Sequence, residues 1–109
     1  MPPSGSSEEQ FALISGATNG NNTVVAAVAG KRIRVIGLHM VAAGDQTAVF
    51  QSAAGGTALT GVMTMIKGVP FTAYNPLGLF EQDVAAELLN LALTQSVQVS
   101  GFVTYLLID

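Results

Sequence analysis

A chain of 109 residues suits a single domain, and this one is half hydrophobic, with only 10% charged residues and a formal net charge of −3. Its four cations are too few for a basic face that binds nucleic acid, and its apolar runs are too short to cross a membrane. Cysteine is absent, which excludes disulfides and thiolate metal sites. Because ordinary soluble domains carry about 25% charged residues, we expect copies of the chain or a larger assembly to cover much of the surface.

Residues 1–9 differ in composition from the rest of the chain. They hold two Pro, three Ser, one Gly and two Glu, and no apolar residue follows Met1. Such a segment cannot bury enough surface to offset its ordering entropy, so we predict a flexible arm over 1–9 and one domain over 10–109. An arm that orders on a neighbouring subunit is the alternative. The segment lacks the basic and apolar regions of a secretory signal.

From Gln10 onward, turn-forming residues recur about every 8–12 positions, a spacing typical of β-sandwiches and barrels. The predicted strands are 11–15, 23–28, 32–41, 46–52, one bent or two short strands in 57–66, 71–75, 88–94 and 97–108. Residues 83–87 are predicted as a loop or a single helical turn. About eight antiparallel strands without long helices predict an all-β fold, specifically an antiparallel β-sandwich of jelly-roll type.

Three of the four cations, Lys31, Arg32 and Arg34, stand together at the start of the longest predicted strand. Strict alternation of side chains places Arg32 and Arg34 on one face of that strand with Ile36 and Leu38. One interpretation is a docking site for carboxylates of a partner or subunit. The other is that the two charges protect the edge of a strand from aggregation.

The acidic residues Glu81, Asp83 and Glu87 form the only acidic cluster of the predicted domain. Their spacing does not match a calcium-binding loop, so we interpret the cluster as a solvated turn. Glu81 and Asp83 could also be the ion partners of the two arginines.

No catalytic or cofactor motif occurs in the chain. His39 is the only histidine, and strict alternation places it on a face with Ile33, Val35 and Val41, where a histidine is more often structural than catalytic. There is no nucleophile elbow and no glycine-rich phosphate loop. We therefore predict no catalytic, cofactor-binding or metal-binding residues, and no enzyme activity.

The last predicted strand, 97–108, is apolar on both faces after Gly101. Such a strand is either central between packed layers or covered on its outer face by another subunit. The low charge favours a subunit contact. The candidate contacts with a partner or subunit are Arg32, Arg34, Phe102, Tyr105 and Leu107.

Six short motifs lie along the chain between Phe11 and Ile108, and each occurs once. They are VAGKRIRV (28–35), FQS (50–52), G-x-x-LTG (56–61), NP-x-G-x-F (75–80), LNL (89–91) and V-x-GxVTY (99–105). Together they resemble the pattern of small virion structural proteins of tailed bacteriophages, of the capsid decoration or cement type.

The resemblance implies a protein made in the host cytoplasm that ends on the capsid surface of the virion. Its implied partners are the major capsid protein and further copies of itself, commonly as a homotrimer, without nucleic acid, membrane or cofactor. Such proteins reinforce the shell against the pressure of the packaged DNA. The alternative function is a receptor- or glycan-binding domain of a phage tail or head fibre, which predicts an exposed aromatic or acidic pocket.

Overall fold

The computed structural model describes residues 9–109, and in that part of the chain it contains ten β-strands and no helix. The strands are β1 (Gln10–Gly16), β2 (Gly20–Val25), β3 (Arg32–Ala42), β4 (Gln46–Ser52), β5 (Thr57–Ala58), β6 (Met63–Met65), β7 (Phe71–Tyr74), β8 (Phe80–Glu81), β9 (Leu89–Leu93) and β10 (Val99–Ile108). The all-β prediction is confirmed. The predicted arm, apart from Glu9, lies outside the described residues.

The strands form two five-stranded antiparallel sheets. Sheet A has the order β1-β10-β3-β7, and β8 also pairs with β3. Sheet B has the order β2-β9-β4-β5, and β6 also pairs with β4. The chain passes from one sheet to the other six times, at β1–β2, β2–β3, β3–β4, β6–β7, β8–β9 and β9–β10. The two antiparallel layers agree with the predicted β-sandwich, while its jelly-roll type stays a prediction.

The structure decides between two pairs of alternatives that the sequence left open, and it adds one short strand. Residues 57–66 form the two short strands β5 and β6, and the break between them contains Gly61. Residues 83–87 contain no helical turn. Strand β8 was not predicted, because a two-residue strand has too little sequence for an alternating pattern and depends on its pairing with β3.

The core lies between the two sheets and draws side chains from both. Val35 and Val103 of sheet A are fully buried, as are Phe50 and Leu91 of sheet B. The ring centroid of Phe50 lies 5.2 Å from that of Phe80 in sheet A. This aromatic pair joins the two layers directly.

Strand β3 contains a bulge that changes which of its residues face the core. Val35 pairs with Tyr105 of β10 and Gly37 pairs with Thr104, so Ile36 is an extra residue in the register. One extra residue moves all later side chains to the opposite face of the strand. Odd-numbered residues of β3 therefore face the core before Ile36, and even-numbered residues face it afterwards.

The bulge corrects two predictions that assumed strict alternation. Arg32 and Arg34 do not share a face with Leu38, because Leu38 belongs to the core. His39 does not share a face with Val35, which is fully buried, and lies half-buried on the outer face of sheet A with the arginines. The residue types of β3 do not reveal this change of face, because apolar residues occupy both sides of the bulge.

A buried amide fixes the loop that follows β8. Gln82 is fully buried, and its Oε1 accepts a hydrogen bond of 2.8 Å from the backbone N–H of Ile33. Its Nε2 donates to the carbonyl oxygens of Glu87, at 2.8 Å, and Leu88, at 3.0 Å. Because a buried amide needs its partners, these bonds hold the loop on β3 and keep the neighbouring Glu81 in place.

Candidate interaction surface

The outer face of sheet A presents large apolar side chains to solvent. Phe11 and Leu13 of β1 are 72% and 71% exposed, Tyr74 of β7 is 63% exposed and Phe102 of β10 is 39% exposed. Single exposed apolar residues are common, but a contiguous group on one face marks an interaction surface. We call this outer face of sheet A the apolar face.

Two neighbouring rows of side chains cross the apolar face. The first row contains Leu13, Phe102, His39 and Thr72, and the second row contains Phe11, Thr104, Gly37 and Tyr74. Members of a row are adjacent across the strands, and the rows are about 7 Å apart along each strand. The two rows contain no Asp, Glu, Lys or Arg. The two rows thus form a surface without a fixed charge that spans four strands.

His39 is held in place within the first row. Its Nδ1 lies 2.7 Å from Oγ1 of Thr72, and its ring centroid lies 5.7 Å from that of Phe102 at an interplanar angle of 50°. These two contacts fix the imidazole beside the Phe102 ring. His39 and Phe102 therefore form the bulky centre of the first row.

The centre of the second row is small. Thr104 and Gly37 lie between Phe11 and Tyr74, and a Cβ on Gly37 would be 3.3 Å from Cδ1 of Tyr74. The tyrosine ring therefore leans over Gly37, and the open space lies above Thr104. A depression of about 540 Å³ is lined by Glu9, Gln10, Phe11, Leu13, Phe102 and Thr104.

Beyond the second row, Lys31, Arg32 and Arg34 form ion pairs with carboxylates of the same chain. Arg32 Nη1 lies 3.0 Å from Oε2 of Glu81, and Arg34 Nε lies 2.8 Å from Oε1 of the same carboxylate. The hydrogen bond from Arg34, supported by the charges of both arginines, lowers the pKa of Glu81 although partial burial opposes the shift. Lys31 pairs with Asp109. The cationic cluster is thus largely neutralised by the protein's own carboxylates.

Both interpretations of the arginines are changed by this geometry. At the arginines, strand β3 lies between β10 and β8, so Arg32 and Arg34 do not protect a sheet edge. Glu81 alone takes the place predicted for Glu81 and Asp83, since it binds both guanidinium groups. A partner would therefore meet arginines that are already paired.

The five predicted contact residues lie on opposite sides of sheet A. Arg32, Arg34 and Phe102 lie on its outer side. Tyr105 is only 8% exposed and belongs to the core, and Leu107 packs against the same core. Strand β10 lies inside sheet A and its odd-numbered residues point toward the core, so Tyr105 and Leu107 do not belong to the outer face of that sheet, and their role as contacts stays a prediction.

Sequence reasoning missed three members of the apolar face. Phe11 and Leu13 alternate with Ala12 and Ile14 in the segment FALIS, so both faces of β1 are apolar and the pattern cannot say which is buried. Tyr74 was placed in a strand without a side being assigned. No local signal separates the two faces, since exposed Leu13 and buried Ile14 are isomers of the same size.

The outer face of sheet B has a different character. Asn90 of β9 is fully buried, and its Nδ2 donates to Oδ1 of Asn21 and Oε1 of Gln51, both at 2.9 Å. Its Oδ1 has no hydrogen-bond partner within residues 9–109. This face is polar and bonded mainly to itself, whereas the apolar face of sheet A has large unpartnered side chains.

Comparisons with protein-family models, with curated proteins and with solved structures found no match. No helix in the part of the chain that the structure describes is long and apolar enough to cross a membrane. The same residues contain no group of three or more His, Asp or Glu side chains that could hold a metal ion.

Proposed function

We propose that this protein is a phage capsid decoration or cement protein, which binds the outer capsid surface as an oligomer and stabilises the shell. The observation that carries the proposal is the apolar face of sheet A on a chain with only 10% charged residues. An exposed apolar surface of this kind is typical of a protein whose surface is buried against other subunits in an assembly. The resemblance of the six motifs to tailed-phage virion proteins supports two parts of this proposal. These are the capsid as the binding partner and the jelly roll as the type of β-sandwich.

The proposed activity requires binding and no chemical step. A protein that binds only the mature capsid lattice stabilises that lattice by mass action. Linked copies that bind neighbouring sites together add avidity without any new type of contact. The major capsid protein is the proposed partner, and the virion surface is the proposed location.

Genome neighbourhood followed by capsid binding tests this proposal. A neighbouring gene for a major capsid protein would supply the capsid, and purified full-length protein would be sedimented with expanded capsids assembled from it. We expect co-sedimentation that saturates and a higher capsid melting temperature. A folded protein that stays in the supernatant, with no change in capsid melting, would contradict the proposal.

The exposed rings of Tyr74 and Phe102 favour a second candidate, a receptor- or glycan-binding domain of a tail or head fibre. Sugars stack on such rings, but they also need polar groups close by, and Thr72 is already bonded to His39. Binding to isolated host envelopes without binding to capsids would favour this candidate. Binding to capsids alone would favour the decoration protein.

A further inference from the structure

We propose that the apolar face of sheet A binds the same face of a second copy, forming a two-fold dimer. The two-fold axis lies in the interface, perpendicular to the strands and between the two rows. This inference names the partner of the apolar face within the proposed function. It needs no capsid, so the dimer and the capsid role can fail separately.

Charge is the first argument for a second copy. Chains with a net charge of −3 repel one another, and this opposes self-association unless the contact itself is uncharged. The two rows of the apolar face contain no fixed charge. In the next row, Arg34 is paired with Glu81, and Glu9 lies at the margin of the depression. Two identical copies can therefore meet on these rows without placing like charges together.

Shape is the second argument, because the two rows complement each other. The first row is bulky at its centre, where Phe102 and His39 stand side by side. The second row is small at its centre, with the depression above Thr104. An axis perpendicular to the strands lays the first row of one copy on the second row of the other. Phe102 then enters the depression above Thr104 of the second copy, and the reverse contact follows by symmetry.

The position of the charged residues favours the same axis. Arg34 lies opposite Leu106 of β10, in the row beyond the second row. The row beyond the first row contains Ser15, Ser100 and Val41. The perpendicular axis lays Arg34 over these small uncharged side chains. An axis parallel to the strands would instead lay the bulky first row against itself and leave the depressions empty.

The size of the face predicts a dimer of moderate affinity. From strand and residue spacing, four strands and two rows cover roughly 250 Å² in projection, and four rows cover roughly 500 Å². A stable interface commonly buries about 800 Å² of accessible surface on each partner. We therefore expect a dimer that dissociates on dilution. A homotrimer, which the family resemblance implies, would need two different surfaces and would leave this self-complementarity unused.

Analytical ultracentrifugation of the full-length protein over a wide concentration range tests the dimer. Leu13→Asp places a charge at the end of the first row, where the proposed axis lays it on Phe11 of the second copy, and burying that unpaired charge should raise the dissociation constant about tenfold. Val62→Asp is the matched control, since Val62 is 70% exposed and lies outside sheet A, against 71% for Leu13. Circular dichroism of each variant verifies that it is folded.

Thr104→Phe separates a specific fit from general stickiness. The substitution adds apolar surface but fills the depression that receives Phe102. A specific dimer should weaken, whereas non-specific association should strengthen.

The proposal is supported by a concentration-dependent dimer that both Leu13→Asp and Thr104→Phe weaken and that Val62→Asp leaves unchanged. A monomer at all concentrations, a trimer, or a dimer insensitive to both face variants would overturn it. Capsid binding by a trimeric protein would overturn the dimer while leaving the proposed function intact, whereas capsid binding by a monomer would overturn both the dimer and the oligomeric part of the proposed function.

Discussion

Glu81 satisfies two arginines with one carboxylate. Strand β8 pairs Glu81 directly opposite Arg34, and each oxygen of the carboxylate receives one guanidinium group. The stem of Arg34 also packs close to Gly78, where an added Cβ would lie 3.1 Å from Cδ of the arginine. The cluster that stands out most in the sequence is therefore mainly an internal clamp between β3 and the segment after β7.

We predict that Glu81→Gln lowers the free energy of unfolding by about 1 kcal/mol at neutral pH, because the pairs remain partly solvated. Arg34 holds the pKa of folded Glu81 below its ordinary value of 4.5. Its stabilising effect is therefore present above that value and lost as the pH falls through the lowered pKa. Urea unfolding of both proteins should show the difference at neutral pH and its disappearance in acid.

The control for this prediction is Asp83→Asn, which removes an exposed carboxylate from the same loop and should change the stability little. A difference between wild type and Glu81→Gln that stays constant into strong acid would contradict the ion-pair explanation.

At the scale of elements, the pairing of β10 with β3 sets the structure of sheet A. These are the two longest strands, and they lie next to each other in its interior. At Gly101 the two backbones come so close that an added Cβ would lie 1.9 Å from the carbonyl oxygen of His39. The glycine also has a φ of 153°. Any residue other than glycine at this position would push β3 away from β10. Strand β3 contains His39, so the apolar face would be disturbed as well.

We predict that Gly101→Ala lowers the free energy of unfolding by about 3 kcal/mol or more, since the added methyl group meets backbone rather than a flexible side chain. Gly61→Ala is the matched control, because nothing lies within 4 Å of an added Cβ there, and it should change stability by about 0.5 kcal/mol at most. Thermal and urea unfolding of both variants would measure the difference. Equal effects at the two glycines would show that the close approach of β3 is not what requires Gly101.

At the scale of the whole molecule, the two sheets depend on a shared core. Phe50 belongs to sheet B and Phe80 to sheet A, and their rings are in contact across the core. Phe50 is fully buried. Because each sheet buries its inner face only against the other, neither should stay folded when the contact between them is lost.

We predict that Phe50→Ala lowers the free energy of unfolding by about 3–5 kcal/mol, through lost burial and the cavity left behind. Urea unfolding should be followed by far-ultraviolet circular dichroism and by tyrosine fluorescence, since the chain has no tryptophan. Both signals should shift together, because Tyr105 lies in the core that Phe50 helps to form.

Phe11→Ala, measured in dilute solution, is the control for the same chemical change at a residue that is 72% exposed. It should cost far less than the core substitution. Separate transitions for the two signals in the Phe50 variant would contradict a shared core.

Local sequence determined the class of fold and the positions of most long strands. Segments such as 32–41 and 46–52 are rich in residues that favour strands and end at turn-forming residues, and they correspond to β3 and β4. These signals depend on neighbours in the chain, so they can be identified without knowing the partner strands. The chain contains no catalytic motif, and the lack of enzyme activity inferred from this stays a prediction.

Only the tertiary structure decided which faces are buried. The bulge at Ile36 depends on the register between β3 and β10, and it places His39 on the same outer side as the arginines. The exposure of Phe11 and Leu13 depends on which side of β1 meets sheet B. Alternation in a sequence defines two faces of a strand, but the choice between them is made by pairing with residues far away in the chain, which no local pattern contains.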